Sequence, residues 1–231
     1  MEQQNIEKIA VPSVEVPQCG LYIILPETDD FEKLNFQLGQ ALHGANRFST
    51  YAVNRHVVEF RHLPKEKEAA LAIAKNLCHT AHRNGFIFLI SDDAVLARDA
   101  NADGVMCTSI KHCSDARKTL GEDSIVGLRC TTRAAAQSAL SLELDCVNFY
   151  TDKHGEPLLT LVNWWTTASE DPVGVEGPFD PENCEVFVKA GVTFITADHH
   201  IWTHPSGNMM QGVVNMLDAF ERFKPAIQKL N

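Results

Sequence analysis

The chain has 231 residues, of which 45% are hydrophobic and 22% are charged, and its formal net charge is −10 at pH 7. The negative charge argues against non-specific binding to nucleic acid, and no stretch reaches the roughly 18–20 consecutive apolar residues of a membrane span. The polar N-terminus has no apolar segment typical of a secretory signal, and the seven scattered cysteines form no Cys-x-x-Cys pair. These features predict a cytoplasmic protein with reduced thiols and a sizeable hydrophobic core.

Short apolar stretches alternate with helical patterns along the chain. Eight stretches are predicted to be strands: Gly20–Pro26, His56–Arg61, Phe86–Ser91, Asp103–Cys107, Ile125–Arg129, Asp145–Tyr150, Pro172–Glu176 and Val192–Ala197. The predicted helices are Phe31–His43, Lys65–Asn84, Ala94–Ala102, Ser114–Leu120, Thr131–Glu143, Leu158–Ala168, Pro181–Ala190 and Asn208–Leu230. Residues 198–207 are predicted to form a polar loop.

Alternation of this kind implies parallel strands joined by right-handed crossovers. Eight units in about 200–250 residues match the size of a TIM barrel. We therefore predict a single (β/α)8 TIM barrel over residues 20–231, preceded over residues 1–19 by a tail or a lid on the barrel bottom. An open, doubly wound sheet is the alternative, but the chain has no G-x-G-x-x-G turn after its first strand.

Polar residues follow several of the predicted strands directly. Ser91-Asp92-Asp93, Thr108-Ser109 and Arg129 all stand at carboxyl ends. In a parallel barrel these ends meet at one opening, where catalytic residues are usually found. The opening is therefore the predicted site.

Five short motifs occur in a fixed order between the second and fifth strands. They are Glu59-Phe-Arg61, Ser91-Asp92, Ala102-Asp-Gly-Val105, Ala116-Arg-Lys-Thr-Leu-Gly121 and Val126-Gly-Leu-Arg129. This series resembles thiamine-phosphate synthase and its relative TenI, which have Gln-Leu-Arg, Asn-Asp, Ala-Asp-Gly-Val, Ala-Arg-x-x-Leu-Gly and Ile-Gly-Val-Ser at these places. The similarity extends over about residues 20–220.

The resemblance implies a reaction as well as a fold. In that family a hydroxymethylpyrimidine diphosphate loses its diphosphate with the help of Mg²⁺, and the nitrogen of a thiazole phosphate captures the resulting pyrimidine cation. The implied partners are phosphorylated small molecules, the implied cofactor is Mg²⁺, and a homo-oligomer is possible. Such chemistry needs cationic donors for the leaving diphosphate and backbone N–H groups for the second phosphate.

The resemblance also assigns the predicted catalytic residues. Arg61 matches the arginine that binds the diphosphate, and Asp92 matches a metal-binding aspartate. Arg129 stands where the family has a serine, and Lys111 stands near the second metal carboxylate. Arg129 and Lys111 could bind an anion directly in place of Mg²⁺, because both side chains are cationic.

The predicted substrate-binding residues lie near strand ends and match family positions with changes. Glu59 replaces a glutamine of the family, and Ser91 replaces an asparagine. Glu176-Gly177 occupies the position of the glycine pair that binds a phosphate in the family. The set consists of Glu59, Ser91, Thr108, Lys153, Glu176, Gly177, Asp198 and His199.

Purely structural roles remain open for the same residues. Arg61 could pair with Glu59 or Asp92, and Arg129 could neutralise one of these two carboxylates. Asp92-Asp93 could be a strand-to-helix turn that contains a helix cap. Trp164-Trp165 could pack against the sheet or form a platform on which a heterocycle stacks.

Two further functions are therefore kept beside the transferase. One is a TenI-like barrel that binds a phosphorylated metabolite without catalysis. The other is a metal-dependent hydrolase that uses the Asp198–His204 loop, which holds three histidines and an aspartate. Adjacent histidines at a strand end point to opposite sides, so His199 and His200 do not easily face the opening together.

Overall fold

The computed structural model describes residues 19–48, 56–61 and 64–224. Except for Cys19, the predicted N-terminal extension lies outside these residues. The strands are β1 Gly20–Ile24, β2 Val57–Phe60, β3 Ile87–Ser91, β4 Gly104–Cys107, β5 Ile125–Cys130, β6 Cys146–Tyr150, β7 Val173–Glu176 and β8 Phe194–Thr196. The helices are α1 Phe31–Phe48, α2 Lys67–Arg83, α3 Ala94–Ala100, α4 Ile110–Leu120, α5 Arg133–Ser141, α6 Leu158–Ala168, α7 Glu185–Lys189, α8 Asp198–Trp202 and α9 Met209–Phe223.

The eight strands form one closed barrel in which each strand pairs in parallel with the next along the chain. The barrel closes between β8 and β1, where Gly20 lies opposite Phe194 and Tyr22 lies opposite Thr196. This confirms the predicted (β/α)8 TIM barrel and excludes the open sheet. All carboxyl ends of the strands consequently surround one opening, which is called the mouth below.

Side chains alternate across the barrel wall because successive residues of a strand point to opposite faces. Outward residues pack beneath the helices in the main hydrophobic core. Trp165 belongs to that core with 1% of its surface exposed, which confirms the packing role for this residue. A second cluster, made of Tyr22, Ile24, Val57, Leu89 and Met106, lies inside the barrel.

Most differences from the predicted elements occur at helix ends. The helix α4 begins four residues earlier than predicted because Ser109 caps it by accepting a hydrogen bond from the His112 N–H at 3.2 Å. The predicted helix over 181–190 shortens to α7, since the Asp180 carboxylate holds residues 181–183 in a turn. The predicted end of the last helix, at Leu230, lies outside the described residues.

No helix in the described part of the chain is long and apolar enough to cross a membrane. The structure describes all seven cysteines, and each is a free thiol. A homo-oligomer stays a prediction.

Candidate active site at the carboxyl end of the barrel

Four charged side chains from three separate strands meet at the mouth. Glu59 is the inward residue near the end of β2, and Arg61 follows two positions later on the same face. Arg129 points inward from β5, and Glu176 ends β7. We call these four residues the arginine–glutamate chain.

The two carboxylates and two guanidinium groups alternate in this chain. Arg61 donates through Nε to Glu59 at 3.0 Å and through Nη2 at 2.6 Å. The same guanidinium reaches Glu176 at 3.0 and 3.2 Å. Arg129 donates to the same two oxygens of Glu176 at 2.7 and 2.8 Å. Two positive and two negative charges therefore neutralise each other, and both arginines converge on a single carboxylate.

The structure shows which carboxylates pair with Arg61 and Arg129. Arg61 forms the pair with Glu59 that the sequence allowed. Arg129 pairs with Glu176, which was predicted to bind substrate and not to neutralise Arg129. The Arg129 guanidinium also lies 3.7 Å from the centre of the Tyr150 ring, close enough for a cation–π contact. Tyr150 was not among the predicted site residues.

Burial and charge pairing act in opposite directions on Glu176. Burial alone would raise the pKa of its carboxyl group, but the hydrogen bonds from Arg129 and Arg61 outweigh burial and hold that pKa below its usual value. Burial likewise opposes the charge of Arg61, and its contacts with Glu59 and Glu176 raise its pKa above the usual value. Glu176 and Arg61 are therefore both charged at neutral pH.

Glu59 is completely buried and accepts two more hydrogen bonds from neutral groups. The Tyr22 hydroxyl donates to it at 2.9 Å, and the Ser91 hydroxyl donates to its other oxygen. Burial and the nearby Glu59 charge raise the pKa of Tyr22, so this hydroxyl keeps its proton. Tyr22 is a site residue that sequence reasoning missed. Its inward position on a strand was the one available signal.

Asp92 lies at the rim of the mouth and binds the β4–α4 connection. Its carboxylate accepts from the Thr108 N–H at 2.8 Å, the Thr108 hydroxyl at 2.7 Å and His112 Nδ1 at 2.7 Å. Burial opposes ionisation, but these bonds lower its pKa overall. Its φ of 56° is left-handed, which is uncommon for residues other than glycine. The next residue, Asp93, caps α3 by accepting from the Leu96 N–H at 2.8 Å.

Asp92 offers Mg²⁺ few open donor positions. Mg²⁺ takes oxygen ligands, and protein sites supply one or two carboxylates with open lone pairs. Both oxygens of Asp92 are engaged, and Lys111 stands near the position of the second carboxylate. In the described residues, no three His, Cys, Asp or Glu side chains come together to hold a metal ion.

The β7 and β8 ends carry the other predicted anion-binding residues. The Gly177 N–H donates to the Thr196 hydroxyl at 3.1 Å, so this donor already has an acceptor. Burial and the Glu176 charge raise the pKa of Asp198, while backbone N–H groups and Arg61 act against them. The carboxyl group of Asp198 thus lies near Glu176, at the position where a phosphate was predicted to bind. His199 and Lys153 are exposed.

The three histidines after β8 do not form a metal centre. Residues 198–202 form the short helix α8 instead of the predicted loop. The His200 ring packs perpendicular to the His204 ring at 5.2 Å, and His204 also contacts Ser206 at 2.7 Å. His199 points to solvent from the same helix. Among the described residues, no group of three metal-ligating side chains forms here, so this loop lacks the metal centre that the hydrolase hypothesis requires.

The sequence of this chain matches a known protein family and its members. Residues 21–201 match the family model described as thiamine monophosphate synthase. Thiamine-phosphate synthase of Rhodospirillum centenum is 27% identical over 198 residues, which cover 82% of this chain and 92% of that protein. The enzyme of Erythrobacter litoralis is 26% identical over 172 residues, which cover 70% of this chain and 81% of that protein.

A comparison of solved structures supports the fold. Thiamine phosphate pyrophosphorylase from Pyrococcus furiosus superimposes with a TM-score of 0.73 at 15% identity, over 90% of this chain and 98% of that chain. That likeness supports the barrel, and the match over residues 21–201 supports the family. The chain belongs to the thiamine monophosphate synthase family, TMP-TENI.

Proposed function

We propose that this protein joins a hydroxymethylpyrimidine diphosphate to a thiazole phosphate, and that Arg61 and Arg129 hold the leaving diphosphate. The observation that supports this is the convergence of two guanidinium groups on the Glu176 carboxylate at 2.7–3.2 Å. Guanidinium groups bind carboxylate and phosphate oxygens in the same bidentate geometry. Phosphate oxygens can therefore accept the hydrogen bonds that Glu176 now accepts.

The same arrangement supplies the charges that the reaction needs. When the bond between the pyrimidine methylene and the diphosphate oxygen breaks, the electron pair leaves with the diphosphate and the carbon becomes positive. Arg61 and Arg129 stabilise the departing anion. The carboxylate of Glu59, which stays beside Arg61, helps to stabilise the cation. The thiazole nitrogen then forms the new C–N bond with its lone pair.

In this mechanism Arg61 and Arg129 neutralise the charge of the diphosphate, and no step requires Mg²⁺. A substrate must compete with Glu176, and breaking a buried ion pair costs about 3–5 kcal/mol when one partner is left alone. The diphosphate replaces Glu176 as the acceptor, which offsets most of this cost. We therefore expect weak substrate binding and slow turnover.

The closed arginine–glutamate chain also supports a second candidate. This candidate is a TenI-like barrel that binds a phosphorylated metabolite without turnover. It needs the same two arginines, but it needs no carboxylate that binds a metal ion. The neutral charge balance of these four side chains favours this candidate, because they offer no excess positive charge to a trianionic leaving group. Both candidates predict anion binding between Arg61 and Arg129.

A turnover assay separates the two candidates. Purified protein is incubated with both precursors, in MgCl2 or in EDTA, and thiamine phosphate is measured by mass spectrometry. The proposal predicts product under both conditions, and loss of product in Arg129→Gln but not in Arg98→Gln, an exposed arginine on α3. Product in MgCl2 alone would contradict the arginine assignment. Binding of the precursors without product would favour the second candidate.

We further propose that the protein works in the cytoplasm. The free state of all seven cysteines supports this proposal, because thiols persist in a reducing compartment.

A further inference from the structure

A cavity of about 220 Å³ lies inside the barrel, at the end opposite the mouth. Inward-facing residues of the strands line it, and nearly all of them are apolar. Ile87, Ile125 and Phe194 are the first residues of β3, β5 and β8, and each is partly exposed. Among the described residues, nothing closes the cavity between the amino ends of these strands.

One polar side chain points into this apolar space. Asn148 lies in the middle of β6 with 2% of its surface exposed, and it lines the cavity. Neither its Oδ1 nor its Nδ2 has a hydrogen-bond partner within the described part of the chain. Burying an amide without partners destabilises a protein, so an apolar side chain of similar size would serve the fold better.

The neighbouring strand leaves room in front of this amide. A Cβ atom added to Gly174 on β7 would lie 2.8 Å from Asn148 Oδ1. An eight-stranded barrel is normally just wide enough for its own side chains to fill. The glycine therefore makes room for the amide at the cavity wall, and a larger residue would displace it.

We infer that this cavity binds a neutral molecule with a single heteroaromatic ring, and that Asn148 recognises a hydrogen-bond donor and acceptor lying side by side on that ring. An asparagine amide offers one carbonyl acceptor and one NH2 donor, so a lactam edge pairs with it through two hydrogen bonds. A cavity of about 150 Å³ is known to hold benzene, so this one is large enough for one substituted ring.

The other polar groups of the lining restrict the charge of the occupant. The Tyr22 hydroxyl is already bonded to Glu59, and the Asp145 carboxylate accepts from Arg117 and from the Val126 N–H at 2.7 Å each. No lysine or arginine occurs among the described lining residues. A phosphate would find no counter-ion there, so this site is distinct from the anion site at the mouth.

The probe 2-pyridone tests this inference, because it is a single-ring lactam. Calorimetric titration of the full chain should show one bound molecule, and a crystal soaked with the probe should show its ring against Asn148. Asn148→Leu should weaken 2-pyridone binding at least tenfold while leaving toluene, which has no polar edge, bound as well as before. Gly174→Ala should also weaken 2-pyridone binding, because the added methyl group displaces the amide from its position.

Several results would overturn the inference. They are no binding of 2-pyridone to the wild-type protein, equal binding to Asn148→Leu, or a crystal in which ordered water alone contacts the amide. A cavity filled by residues of this chain outside the described ranges would overturn it as well. The soaked wild-type crystal decides the matter even if neither variant folds.

Discussion

At the scale of single residues, Glu176 occupies the guanidinium donors with which the two mouth arginines are proposed to bind an anion. Its carboxylate accepts four hydrogen bonds from Arg61 and Arg129. Glu176→Gln removes the negative charge but keeps the shape. We expect pyrophosphate to bind this variant about tenfold more tightly than wild type, which corresponds to about 1.4 kcal/mol.

Calorimetric titration with pyrophosphate measures the effect of Glu176→Gln. The matched control is Glu156→Gln, which removes a more exposed carboxylate paired with Arg133. That variant should bind pyrophosphate as wild type does. Unchanged or weaker binding to Glu176→Gln would show that the carboxylate does not compete with the anion.

Sequence reasoning found the residues of the mouth but not their partners. Arg61 and Arg129 could be placed there because each follows or ends a short apolar strand. The pairing of Arg61 with Glu176 joins positions 115 residues apart, and no local pattern reports a contact of that separation. His112 was missed for a similar reason, since its bond to Asp92 spans 20 residues.

At the scale of elements, the two adjacent aspartates after β3 have separate structural tasks. Asp93 caps α3, whereas Asp92 holds the β4–α4 connection. Asp93→Ala should lower the free energy of unfolding by about 1 kcal/mol, because it removes an N-cap. Asp93→Asn should change it little, since asparagine caps equally well. Urea denaturation measures both variants, and equal losses would contradict the capping role.

His56 makes the pairing of β1 with β2 sensitive to pH. It is 7% exposed, and its Nδ1 accepts a hydrogen bond from the Leu21 N–H at 3.0 Å. Burial lowers its pKa to about 4, whereas an unfolded chain has a histidine pKa of about 6.5. Protonation therefore favours the unfolded state. The stability from His56 is complete above pH 6.5 and is lost as the pH falls toward 4.

The size of this pH effect can be measured by urea denaturation at pH 7 and pH 5. The His56 contribution to the free energy of unfolding should fall by about 2 kcal/mol between these values. His56→Gln keeps an acceptor for the Leu21 N–H but cannot be protonated, so its loss over the same range should be smaller by about that amount. Equal losses in the two proteins would exclude His56 as the cause.

Elements were predicted well where apolar strands have clear ends, and poorly where helices are short. All eight strands lie within the predicted stretches to about two residues at either end. The helix α8 was missed because five residues, Asp198–Trp202, are too few to show helical periodicity. The early start of α4 depends on the Ser109 cap, which was assigned to the mouth instead.

At the scale of the whole molecule, closure of the barrel brings the arginine–glutamate chain together. Its members come from β5, β7 and the end of β2, which are not neighbours in sequence. Counting eight alternating units predicts closure, but it cannot show how the interior is filled. The amide of Asn148, which has no hydrogen-bond partner among the described residues, and its close approach to Gly174 depend on packing between strands.

The crystal structure of this protein with pyrophosphate tests the central claim most directly. We expect pyrophosphate oxygens to lie within hydrogen-bonding distance of both Arg61 and Arg129, with the Glu176 carboxylate turned away from the two arginines. Pyrophosphate bound elsewhere, with Glu176 still between the two arginines, would contradict the account.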